Sequence, residues 1–113
     1  APEAGGRNLA ARPMELLLAG TGGCTAFDVM LILKKSRQQV TGCEVTLKAD
    51  RASEDPKVFI RIGFHFKISG RGLKPEVVER AIHLSAEKYC SASIMIGKTA
   101  KMEHTWEIIE TGA

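Results

Sequence analysis

Two cysteines stand in settings suited to thiol chemistry. Cys24 lies inside the small-residue run AGTGGCTAFD on an otherwise apolar segment, and Cys90 lies in SAEKYCSASI, at a predicted helix end. A thiolate is a nucleophile, a metal ligand and an oxidisable group, so each residue is a candidate for chemistry. The two are too distant in the chain to form a local CxxC redox motif, so only a fold that brings two helices together makes them partners. Against this stands the ordinary role of free cysteine as a small buried apolar side chain. The third cysteine, Cys43, alternates with Val45 and Leu47 and reads as structural.

The elements that must position these thiols follow from periodicity. From Met14 to Leu33 the chain is apolar enough to raise the question of a membrane span, but Glu15 and Asp28 would be costly in hydrocarbon. The segment reads as a buried helix. It is opened by Pro13, a favourable first helical residue, and closed by the basic run KKSRQQ, which suits a helix C-terminus. Cys43, Val45, Leu47 and Ala49 alternate with Glu44, Thr46 and Lys48, the pattern of a half-buried strand. After the turn-rich RASEDPK, Val58, Ile60, Ile62, Phe64, Phe66 and Ile68 form a second strand and complete a hairpin. Pro75 opens a helix with Val78, Ala81, Ile82, Ser85 and Tyr89 at helical spacing. SASIMIGKTA reads as a short helix bent off near Cys90, and Met102–Ile108 is a closing strand.

The order predicts an α+β fold with helices on one face of a small antiparallel sheet. Residues 1–12 read as an N-terminal remnant and 13–113 as a single domain. The missing initiator Met leads to the expectation that something precedes the chain. Three short strands cannot cover a long helix that is apolar on nearly all faces, which predicts burial against a second copy or an upstream segment, the dimer being favoured.

A length of 113 residues suits one domain that buries roughly two thirds of its unfolded surface. Three cysteines do not make a secreted disulfide framework and fit a reducing cytoplasm. The net charge of +3 arises from 16 basic and 13 acidic side chains without a block of one sign, so neither nucleic acid nor a membrane surface is indicated.

PMELLLAGTGGCTAFDV followed much later by EKYCSASIMI resembles the OsmC-like proteins, which include the organic hydroperoxide resistance proteins. The likeness runs from about Arg12 to Ile108. It implies an intertwined homodimer with sites at the subunit interface and thiol-dependent reduction of hydroperoxides, with a dithiol as reductant and no cofactor or metal. It also implies that Cys24 attacks the peroxide and Cys90 resolves the product as a disulfide. In the peroxidase members an arginine and a glutamate assist, the glutamate directly following the helix-opening proline. Here that position is Met14, and Glu15 stands about 100° further round the helix. Arg7 and Arg12 are the candidates for the arginine. Asp28, one turn after Cys24, is a further supporting candidate, although an anion beside the sulfur opposes thiolate formation. Cys90 is expected to gain thiolate character from the start of the short helix.

Other patterns carry less. His83, Glu87 and Cys90 fall on one helical stripe, and His65 and His104 have no ligand at metal spacing. IGKT lacks the glycine of a phosphate loop, because that position is Ala92. The element order is also that of a KH-like RNA-binding module, which GTGG fits literally. A non-catalytic OsmC-like protein that binds a small hydrophobic ligand is the remaining alternative.

Overall fold

The computed structural model describes residues 13–112. The N-terminal remnant, with Arg7 and Arg12, lies outside the described residues. Helix α1 spans Pro13–Lys35, strands β1 and β2 span Gln39–Arg51 and Phe59–Arg71, and helix α2 spans Pro75–Leu84. A single π-turn over Ser85–Tyr89 leads to α3, Ser91–Ile96, and the chain closes with β3, Lys101–Glu110.

Pro13 begins α1, as its fixed φ favours, and Lys34 and Lys35 occupy the last turn. The helix stops in a Schellman-type cap: Gln38 N–H donates to Leu33 O at 2.9 Å and Arg37 N–H to Lys34 O at 3.0 Å. Arg37 takes the left-handed conformation usually given to glycine, with φ +61°.

The sheet has the order β1-β2-β3. β1 and β2 form the expected antiparallel hairpin; β1 is longer at both ends than its alternating residues indicate, while β2 begins at Phe59, one residue after the expected Val58, and runs on to Arg71. The third strand corrects the expectation of an antiparallel sheet. β3 pairs parallel to β2, from Arg61 opposite Lys101 to Gly70 opposite Glu110. The cause is the connection: α2, the π-turn and α3 form a crossover, which returns the chain to the end of the sheet where β2 began.

Ile62, Phe64, Phe66 and Ile68 of β2 point into the core and meet Val29 and Leu33 of α1 and Val78, Ala81 and Ile82 of α2. Burial of side chains of this size stabilises by about 1.5–3 kcal/mol each. The opposite face is polar: Arg61 pairs with Asp50 at 2.9 Å and with Glu103.

Within the single chain α1 is buried along one stripe. Thr21, Gly22, Thr25, Val29 and Leu33 are buried, in steps of about one turn. Leu16, Leu17 and Phe27 are 59%, 51% and 69% exposed on the single chain. α1 is also long and apolar enough to cross a membrane; in this chain it packs against β1, α2 and the π-turn.

Candidate functional site

α1 carries Cys24 in its middle, with Asp28 one turn later. Gly22 lets α1 approach β1 closely: a Cβ there would meet Leu47 Cδ1 at 2.9 Å and Val45 Cγ1 at 3.3 Å. Gly20 and Gly23 have open space beside them.

The second half of the site depends on the π-turn. Cys90 N–H donates to Ser85 O at 2.7 Å, five residues back, so this turn holds one residue more than an α-helical turn. The buried stripe Val78, Ala81, Ile82, Ser85 therefore continues to Cys90, which is fully buried, and Tyr89 is displaced to the surface at 53% exposure. The predicted stripe of His83, Glu87 and Cys90 is broken for the same reason. His83 and Glu87 pair with each other at 2.9 Å in solvent.

The two elements bring three of the predicted residues together. Cys24 Sγ, a carboxylate oxygen of Asp28 and Cys90 Sγ all lie within 4.8 Å of one another, with Cys24 and Asp28 half-buried. Cys90 is the N-cap of α3, and its sulfur accepts from Ser93 N–H at 3.4 Å. Its thiol lies within 4.0 Å of Thr21 O, toward which it donates weakly. Beneath Asp28 is a polar chain that sequence reasoning did not find. Thr25 Oγ1 and Ser85 Oγ are 2.9 Å apart, and Ser85 donates to Asp28 Oδ2 at 3.3 Å. Because the serine hydroxyl has one proton and the carboxylate only accepts, Thr25 is the donor to Ser85. The signal available for these residues was the i, i+4 pair of threonines in an apolar helix. For Ser85 there was none, since a helical stripe accommodates it without comment.

Burial pushes the Cys90 thiol above its ordinary range, and the neighbouring Cys24 adds to this. The Ser93 contacts oppose it and are outweighed. The expected gain of thiolate character at the start of α3 is thus reversed in sign: the N-cap geometry is present, but desolvation wins. Cys43, on the inner face of β1, is pushed up to about 11 by burial alone, in keeping with its structural reading.

Glu15 is not part of this arrangement. It is exposed, it lines a cleft with Arg51 and Phe59, and it lies nine helical residues before Cys24, about 13 Å along the axis. A groove of about 260 Å³ lined by Leu31, Ile32, Lys35 and Tyr89 opens beside Asp28. His104 stacks on Phe64 with ring centroids 4.6 Å apart and lies in a separate cleft of about 510 Å³ with Trp106 and Ser93. GTGG lies inside α1, and no glycine joins α2 to α3, so the loop needed by the KH-like alternative has no counterpart.

The sequence matches the profile described as OsmC-like protein over residues 5–105. The chain belongs to the OsmC-like family. It is 47% identical over 97 residues to Protein YhfA of Escherichia coli K12, a match covering 86% of this chain and 72% of that protein. Among solved structures, a hypothetical protein from Aquifex aeolicus VF5 superposes with a TM-score of 0.87 at 33% identity, covering 93% of this chain and 79% of its own. An organic hydroperoxide resistance protein, OsmC, from Legionella pneumophila shares the fold at 19% identity, with a TM-score of 0.69 over 95% of this chain and 77% of that one. The family resemblance read from the helix-opening proline, the glycine-rich approach to Cys24 and the later Cys90 is therefore borne out.

Proposed function

We propose that this OsmC-like chain is a thiol peroxidase that reduces organic hydroperoxides. The observation that carries the reading is the meeting of Cys24 and Cys90 within 4.8 Å across two elements distant in sequence. The half-buried Cys24 loses its proton to solvent and its thiolate attacks the terminal peroxide oxygen; the O–O bond breaks, the departing alkoxide takes a proton from water and leaves as an alcohol, and Cys24 becomes a sulfenic acid. Cys90 then attacks that sulfur. The S–O bond breaks, and the proton carried by the buried Cys90 thiol leaves with the hydroxide as water. A staggered change of χ1 moves a sulfur by about 3 Å, enough to take a pair at this separation toward bonding distance. A dithiol reductant restores both thiols.

The groove lined by Leu31, Ile32 and Tyr89 favours an apolar peroxide. The exposed Leu16, Leu17 and Phe27 on α1, beside the open space at Gly20 and Gly23, favour a homodimer formed on this helix. The even charge distribution and the free thiols suit a cytoplasmic protein. A steady-state assay tests the activity: consumption of cumene hydroperoxide in the presence of dithiothreitol is expected to exceed that of hydrogen peroxide and to vanish in Cys24→Ser. Turnover unchanged in Cys24→Ser would remove the proposal, and absent turnover with tight binding of an apolar probe would favour the non-catalytic, ligand-binding alternative.

A further inference from the structure

The sequence relates only two of the three groups that matter, Cys24 and Asp28 one turn apart on α1, because the third comes from another element. Once α1 and the π-turn are packed, Cys24 Sγ, an Asp28 carboxylate oxygen and Cys90 Sγ form a triangle with no edge longer than 4.8 Å. Ligand atoms around a tetrahedral zinc ion are about 3.5–3.8 Å apart, given Zn–S and Zn–O bonds of about 2.3 and 2.1 Å. The triangle is thus within a contraction of about 1 Å of a zinc-binding face. We infer that the reduced chain binds one thiophilic divalent cation, of the Zn²⁺ class, through Cys24, Asp28 and Cys90.

Asp28 is the residue that argues for this most directly. A carboxylate next to an attacking thiolate opposes its formation, so peroxide chemistry gives no reason for it to be there. A cation site does, since the carboxylate supplies a third, hard ligand and a further negative charge. The carboxylate is also oriented as ligands in metal sites are: Ser85 donates to Oδ2 at 3.3 Å, and Ser85 is itself held by Thr25 at 2.9 Å. Cys90 is fixed by its place as the cap of α3. Cys24 and Asp28 are only half-buried, which leaves a way in and a fourth position for water. Two thiolates exclude magnesium and calcium, which take oxygen ligands.

Binding is not a redox step. Two S–H bonds are lost and their protons go to solvent, while two metal–sulfur bonds and one metal–oxygen bond form. The metal-bound and disulfide states use the same sulfur atoms and exclude each other.

The test uses the full chain, reduced and metal-free under argon, titrated with Co²⁺ as a coloured substitute. The expected result is one ion per chain, a sulfur-to-cobalt charge-transfer band in the near ultraviolet and its loss on addition of Zn²⁺. Cys24→Ser and Cys90→Ser should each reduce the band. Competition with a chromophoric chelator should show Zn²⁺ affinity at least tenfold lower in Asp28→Asn and about tenfold lower in Ser85→Ala. Absence of the band with the thiols shown to be free, its persistence in the Cys24→Ser, Cys90→Ser double variant, or unchanged affinity in Asp28→Asn would overturn the inference. Should Asp28→Asn fail to fold, the near-isosteric Cys24→Ser decides the matter. Peroxide treatment of the metal-free chain separates this proposal from the redox one. Disulfide formation without a cobalt band removes only the metal site, and a cobalt band without disulfide formation removes only the peroxidase.

Discussion

Replacing Gly22 by alanine tests how α1, and with it Cys24, is seated on the sheet. In a helix interior alanine is favoured over glycine by about 1 kcal/mol, which alone would raise the melting temperature by about 4 °C in a domain of this size. The new Cβ would lie 2.9 Å from Leu47 Cδ1 and 3.3 Å from Val45 Cγ1. Overpacking of this kind costs about 1–3 kcal/mol. The lower half of that range applies, because the leucine methyl can swing aside while the β-branched valine is stiff. Gly22→Ala in the native background is therefore expected to be neutral or destabilising by about 1 kcal/mol. In a Leu47→Ala background the nearer contact is gone, and the same substitution should stabilise by up to about 1 kcal/mol. The coupling between the two positions is then about 1–2 kcal/mol, measured as a double-mutant cycle in urea unfolding. Gly22→Ala stabilising equally in both backgrounds would show that α1 does not approach β1 this closely, and the placement of Cys24 derived from it would be wrong.

Three further outcomes follow from the buried polar and titrating groups. Ser85→Ala removes the hydroxyl that joins Thr25 to Asp28 and should destabilise the fold by about 1–3 kcal/mol in urea; a change within error would mean the chain of hydroxyls is not formed. With its thiol near 11, Cys43 is about one part in a thousand thiolate at pH 8, so iodoacetamide followed by peptide mapping should label Cys24 well before Cys43. Comparable rates would contradict the burial of the β1 inner face. His104 is held below its ordinary 6.5 by burial, and further by His83, so the fold favours its neutral form. Its contribution to stability is present above pH 6.5 and is lost as the pH falls below that. His104→Phe, which keeps a ring against Phe64, should flatten this part of the profile of melting temperature against pH.

Most of the architecture was legible because it rests on local periodicity. Pro13, Pro75, the alternation from Cys43 to Ala49 and that from Val58 to Ile68 each mark an element by rules that act within a few residues. Strand direction does not: the pairing of Ile62 with Met102 depends on a crossover, and nothing in the residues of β3 records which way it runs. The site divides along the same line. Cys24 and Asp28 share a helix and could be related by spacing alone. Cys90 was legible as a cysteine, but its burial and the exposure of Tyr89 come from one added residue in the turn Ser85–Tyr89, an irregularity that helical periodicity cannot express. Ser85 and Thr25 were missed because a hydroxyl on an apolar stripe has meaning only when its partner on the other element is known. The reversed expectation for the Cys90 thiol has a similar origin, since a helix start can be read from sequence and the degree of desolvation cannot.

The most direct test of the account is mass spectrometry of the reduced chain after one equivalent of cumene hydroperoxide, with peptide mapping under non-reducing conditions. The account predicts rapid formation of a Cys24–Cys90 disulfide within one chain, blocked in Cys24→Ser, and a stable Cys24 sulfenic acid in Cys90→Ser. Cys24 oxidised without ever joining Cys90, or a disulfide formed through Cys43 instead, would contradict it.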